Sequence, residues 1–169
     1  MEKLKIYLDT NMILDIFTNQ IKALKGEEPK IPKKYEFMLA HMDKFQFVTS
    51  ILTKAEIVRE LINAFHISID NIEKLWEDFI KSSQCQYIGK FSVGKEFVHV
   101  VSDIKMRLRT MMNFQHVFIA MKENAYFVSG DKAIINSIRE NKIHDKTLTY
   151  IELRKLATSL DSSQTRRDV

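Results

Sequence analysis

The 169-residue chain is poor in the residues that punctuate or staple a fold: one cysteine, two prolines, four glycines and one tryptophan. A single thiol, Cys85, excludes a disulfide framework and a thiolate zinc cluster, so a reducing compartment is expected. Cys85 itself, between Gln84 and Gln86, reads as an inert core thiol. No apolar run approaches the roughly 20 residues of a membrane span. The opening Met1-Glu2-Lys3-Leu4-Lys5 passes straight into a strand-like segment and leaves no room for a signal peptide. A soluble, cytoplasmic protein with no membrane partner is the expectation. Scarce Gly and Pro also mean few interruptions, hence long elements. The excess of one charge is small: 26 Lys+Arg against 22 Asp+Glu leave +4, compatible with a polyanionic partner without requiring one.

A hydrophobic content of 45% is enough to bury a core and rules out wholesale disorder. The length fits one domain, read as residues 1–160 with a polar, disordered tail over 161–169. Period-2 or apolar runs predict strands at 4–8, 45–49, 84–88, 125–129 and 147–150. Between them, helical periodicity places Ile13, Leu14, Phe17, Ile21 and Leu24 on one face, then Ile57, Val58, Leu61, Ile62 and Phe65 on another. Further helices are predicted at 34–43, 70–82, 95–112, 113–123, from about 131, and at 151–160. Asp70-Asn71-Ile72-Glu73 reads as a capping box. This strand–helix alternation gives an α/β fold: a central parallel β-sheet of about five strands flanked by helices on both faces.

Ligands of open α/β sheets bind beyond the carboxyl ends of the strands. Asp9 follows the first strand, Glu56 lies early in the helix after the second, and Asp131 comes just after the strand ending at Ser129. Capping alone accounts for each acid singly: Asp9 and Asp131 stand where an N-cap belongs, and Thr53-Lys54-Ala55-Glu56 fits a capping box. Three acids converging on one sheet edge repel unless a cation joins them, and oxygen ligands favour a hard divalent ion. The four histidines other than His116 lack ligand spacing, so zinc is not expected.

The segment Ile6-Tyr7-Leu8-Asp9-Thr10-Asn11-Met12-Ile13-Leu14-Asp15 resembles the opening signature of PIN-domain nucleases. Ser50-Ile51-Leu52-Thr53-Lys54-Ala55-Glu56-Ile57 is similar to the family's helix bearing a metal-binding Glu. His116-Val117-Phe118-Ile119-Ala120 with Phe127-Val128-Ser129-Gly130-Asp131-Lys132 looks like its final helix, strand and acidic turn, and Leu148 to Leu153 resembles its closing strand and helix. The likeness spans nearly the whole chain. It implies a single PIN-like domain that hydrolyses RNA with Mg²⁺ or Mn²⁺ held by Asp9, Glu56 and Asp131, with Thr10, Asn11 and Ser129 orienting the carboxylates or binding phosphate. Lys54, Arg59, Lys105, Arg107 and Arg109 are candidates for the RNA backbone, or else a solvated face. Among the family, a toxin of the VapC-like kind is the best fit, which implies a homodimer and an antitoxin protein as partner. Asn113 stands where the family carries another Asp. An amide adds no charge, so the alternative is a catalytically silent PIN-like module that binds RNA or a protein. Asp103 reads as a surface acid rather than a replacement, and His116 as a partly buried, hydrogen-bonded helix residue.

Overall fold

The computed structural model describes residues 2–28, 30–92 and 108–165, and side chains within the helical stretches 108–111 and 163–165 are outside that description. Five strands form one all-parallel sheet: β1 (Leu4–Leu8), β2 (Phe45–Ser50), β3 (Gln86–Ile88), β4 (Tyr126–Ser129) and β5 (Thr147–Thr149). Seven helices accompany them among the described residues: α1 (Thr10–Leu24), α2 (Lys33–Ala40), α3 (Ile51–Phe65), α4 (Ile69–Ser83), α5 (Leu108–Lys122), α6 (Lys132–Glu140) and α7 (Tyr150–Thr165). The predicted α/β class and parallel sheet are both found.

The strand order is β3-β2-β1-β4-β5. The chain builds outward from β1 on one side, then returns to lay β4 on the other, so the topology reverses between β1 and β4, which pair through Leu8 and Val128. Alternation along β1 sends Ile6 and Leu8 to one face and Tyr7 to the other. The first face is covered by α1, α3, α4 and α7, with Ile13, Phe17, Leu61, Phe79 and Leu153 buried in it. The second is covered by α5 and α6, through Phe114, Val117, Ile135 and Ile138. β1 is thus buried on both sides, which is why it is apolar at nearly every position.

Glycine being scarce, the chain ends its helices by other means. Gly26, at φ +88°, follows α1. Elsewhere His66, Gln84, Asn124 and Lys142 adopt φ of 50° to 53°, a left-handed conformation that costs a non-glycine residue about 1–2 kcal/mol. Gln84 therefore caps α4, and β3 begins at Gln86, two residues later than its sequence predicts.

Two capping boxes are displaced as well. Ser68, whose hydroxyl accepts from Asn71 N–H, caps α4 in place of Asp70, and α3 opens after Ser50 rather than at Thr53, which is buried. The helix predicted over 95–112 falls largely outside the described residues, and the predicted boundary at 113 is not found. α5 is continuous from Leu108, and Asn113 lies inside it. α7 continues through Asp161, which is ion-paired to Lys44, as far as Thr165, past the start of the predicted tail. Its first turn is anchored by Glu152, which accepts from Arg139 and from the Thr149 N–H and hydroxyl. Arg139 above all, opposed by slight burial and helped by Thr149, holds the Glu152 carboxyl down at about 2.

Candidate metal centre

An open cleft of about 850 Å³ lies at the carboxyl ends of the strands, where the topology reverses. Asp9, Glu56, Arg59, Asn113 and Asp131 all line it. Asp9 arrives there as the residue between β1 and α1. Its Oδ1 accepts from the Thr10 backbone N–H at 2.8 Å, a capping bond that starts the helix. Its Oδ2 accepts from Asn11 Nδ2 at 2.7 Å and from the Ser129 hydroxyl at 2.6 Å. A carboxylate gripped at both oxygens keeps its orientation, and Asp9 is only 7% exposed.

The same bonds fasten β1 to β4. Asn11 Nδ2 also donates to Ser129 Oγ at 3.0 Å, and its Oδ1 accepts from Gly130 N–H at 2.7 Å. Ser129 Oγ further accepts from Asp131 N–H at 3.0 Å. A Cβ on Gly130 would lie 3.0 Å from Asn11 Oδ1, so the glycine allows the close approach of the Asn11 amide and is not there for its backbone angle. Gly130→Ala is expected to push the Asn11 amide off Asp9. Mn²⁺ affinity should fall about tenfold, as when other supporting partners of metal ligands are lost, while the melting temperature moves by only a few degrees. Titration calorimetry and thermal unfolding of the same preparation check both halves.

Glu56 projects from the second turn of α3, and its Oε2 accepts from the Thr10 hydroxyl. Burial works to raise its pKa, but His116, Thr10 and Arg59 together outweigh burial and hold it below the ordinary glutamate value. His116 comes from α5 and is fully buried. Its Nδ1 is 2.8 Å from the Tyr7 hydroxyl, which lies 2.7 Å from Ser50 Oγ. Burial pushes the Tyr7 phenol far above its usual value, so it stays protonated. His116 Nε2 lies 3.3 Å from Glu56 Oε2, within ion-pair range, yet off the alignment of a hydrogen bond, and it has no hydrogen-bond partner.

One ligand atom each from Asp9, Glu56 and His116 falls within 4.8 Å of the others, the sole such group of His, Cys, Asp or Glu among the described residues. Asp131 shares the cleft but not this cluster: its Oδ1 caps α6 by accepting from Ala133 and Ile134 N–H, and Oδ2 takes no part in the cap. Asn113 is on the cleft wall, and among the described residues its side chain has no hydrogen-bond partner. Of the candidate basic residues, Arg59 is on the cleft and 72% exposed, bonded to Glu60. Lys54 turns away, paired with Glu73 and lying over the Trp76 ring. Lys105 and Arg107 are outside the described residues, as is the Arg109 side chain. Lys34, unremarked in the sequence, reaches from α2 to the Asn11 carbonyl at 2.7 Å.

His116 is the member of this cluster that sequence reasoning undervalued. The signal was its spacing: on a helix, residues 113 and 116 share a face, so a cleft-facing Asn113 brings His116 toward the acids. The fold and the cluster define a doubly wound α/β domain with a carboxylate–imidazole site at its switch point. In comparisons with known proteins, no family model matches the chain and no curated protein matches it.

Proposed function

We propose that this protein is a metal-dependent ribonuclease of the PIN-like kind, hydrolysing RNA phosphodiesters with Mg²⁺ or Mn²⁺. The observation that carries the reading is the convergence of Asp9 and Glu56, which line the cleft, with the fully buried His116. Two carboxylates this close repel, and the buried Nε2 lacks a hydrogen-bond partner. A cation would relieve both costs, so the residues present fit one. Asp9 and Glu56 would hold it, with Asp131 facing the same cleft. A divalent ion bound there supplies Lewis acidity, lowering the pKa of a water and neutralising charge on the phosphate.

The chain's own groups do the positioning. Asn11 and Ser129 aim Oδ2 of Asp9, Thr10 aims Glu56, and Arg59 on the rim offers a guanidinium to the RNA backbone. RNA as the substrate, the homodimer, and a role as the toxin half of a toxin–antitoxin pair, blocked by an antitoxin protein, follow from the family resemblance.

A second reading has one observation behind it: Asn113 brings no charge to the cleft wall, and among the described residues its side chain has no hydrogen-bond partner, as expected of a silent RNA- or protein-binding module. A mixed single-stranded RNA panel with Mn²⁺ separates the two. The protein should cut, and Asn113→Asp should cut about tenfold faster, the addition of one cleft carboxylate being worth about 1.4 kcal/mol in the transition state. Cleavage only after Asn113→Asp would establish the silent module. No cleavage by either would end the nuclease reading.

A further inference from the structure

We propose that His116 Nε2 is a direct ligand of the cation, completing an Asp9–Glu56–His116 site that prefers first-row transition ions to Mg²⁺. The inference rests on the metal-site reading above and changes its ligand set: a nitrogen donor replaces the carboxylate that Asn113 lacks.

Three observations carry it. First, Nε2 is completely buried, has no hydrogen-bond partner and faces the Glu56 carboxylate at 3.3 Å. Two atoms bound about 2.1 Å from a shared ion lie about 3.0–3.4 Å apart, so this separation is one a cation can bridge without rearrangement. Second, the opposite face of the imidazole is fixed as ligating histidines are. Tyr7 Oη lies 2.8 Å from Nδ1 and 2.7 Å from Ser50 Oγ, so when the phenol donates to Ser50 it can accept from Nδ1–H, and Nε2 then has its lone pair free for a cation in place of the proton it would otherwise turn to Glu56. Third, the competing arrangement is poor. An Nε2–H aimed at Glu56 would be off-axis, toward an oxygen already taken by the Thr10 hydroxyl, leaving a buried donor unsatisfied.

Selectivity follows from donor chemistry. An all-oxygen site suits Mg²⁺, whereas imidazole favours transition ions, with affinity rising from Mn²⁺ to Co²⁺. Mg²⁺ is reluctant to exchange its waters for nitrogen.

The test needs no RNA. Calorimetric titration of the metal-free protein with MgCl₂, MnCl₂ and CoCl₂ should show affinity rising in that order, Co²⁺ exceeding Mg²⁺ by at least about a hundredfold. Pulsed electron paramagnetic resonance of the Mn²⁺ form should show coupling to a ligated imidazole nitrogen. His116→Gln should remove that coupling and weaken Co²⁺ by at least about tenfold, while His144→Gln, whose ring is bonded to the Ala125 carbonyl ahead of β4, should change neither. Where His116→Gln does not fold, wild type and His144→Gln decide: imidazole coupling present in both supports the assignment, and coupling absent from the wild type or lost in His144→Gln overturns it. Asp9-dependent Mn²⁺ binding without nitrogen coupling overturns this inference but leaves the nuclease standing. Absence of divalent binding overturns both.

Discussion

Asp9→Asn should lose Mn²⁺-dependent RNA cleavage by on the order of a thousandfold while remaining folded. The site of Asp9 explains both halves. In the proposed site its carboxylate would be one of two that neutralise the cation, and losing about 4 kcal/mol of charge stabilisation in the transition state corresponds to about that factor. The structural role is smaller. Asparagine keeps Oδ1 as acceptor for Thr10 N–H, but places an amide where Oδ2 receives Asn11 Nδ2 and the Ser129 hydroxyl. Two donors then meet a third, a cost on the order of 1–2 kcal/mol, partly offset by relief of repulsion with Glu56. Urea unfolding should therefore remain cooperative with a modestly shifted midpoint. Single-turnover cleavage assays at saturating Mn²⁺ measure the first half. Retained activity would mean that the chemistry lies elsewhere on the molecule.

Phe17→Ala should cost about 3–5 kcal/mol, the largest stability loss expected from a single truncation here. Phe17 is fully buried in α1, stacked on Trp76 with ring centroids 5.7 Å apart and tilted against Phe79 at 5.3 Å. Those three rings bind α4 to α1, and α1 in turn carries Thr10 and Asn11 at its start. Alanine leaves a void between rings that are themselves held by Tyr35 and Tyr87, so the site cannot collapse to refill it. For a domain of this length the melting temperature should drop by roughly 10–15 °C, read from far-ultraviolet circular dichroism. A loss under about 1 kcal/mol would show that α4 docks without the Phe17 contact.

Much of the architecture was legible because its signals are local. Leu4 to Leu8 alternates as a strand must, and apolar stripes at helical spacing mark α1, α3 and α4. Errors arose where a local signal had a local competitor. Asp70 and Thr53 both looked like caps, but Ser68 and Ser50 occupy those positions, since the strand or loop ahead decides where the first turn can begin. Gln84 carries no stop signal, yet tertiary packing forces it into the left-handed region and trims β3. The predicted helix start at 113 divided an apolar pattern that the chain carries through without a break from Leu108 to Lys122.

Residue chemistry alone determined that Asp9 and Asp131 would sit at helix starts after strands, since an Asp there satisfies the free N–H groups of the first turn. It also marked Leu4–Leu8 as a strand, whereas its central place in the sheet came only from its pairing with both β2 and β4. Only the tertiary structure decided which acids share a site. Asp131 points into its own helix cap, while Glu56 is drawn to Thr10 and His116. Tyr7 and His116, 109 residues apart, meet because β1 pairs with β4 and α5 crosses the sheet face onto which Tyr7 projects. Periodicity and capping act over a few residues. The juxtaposition of Asp9, Glu56 and His116 depends on strand register and crossover, which no short stretch of sequence encodes.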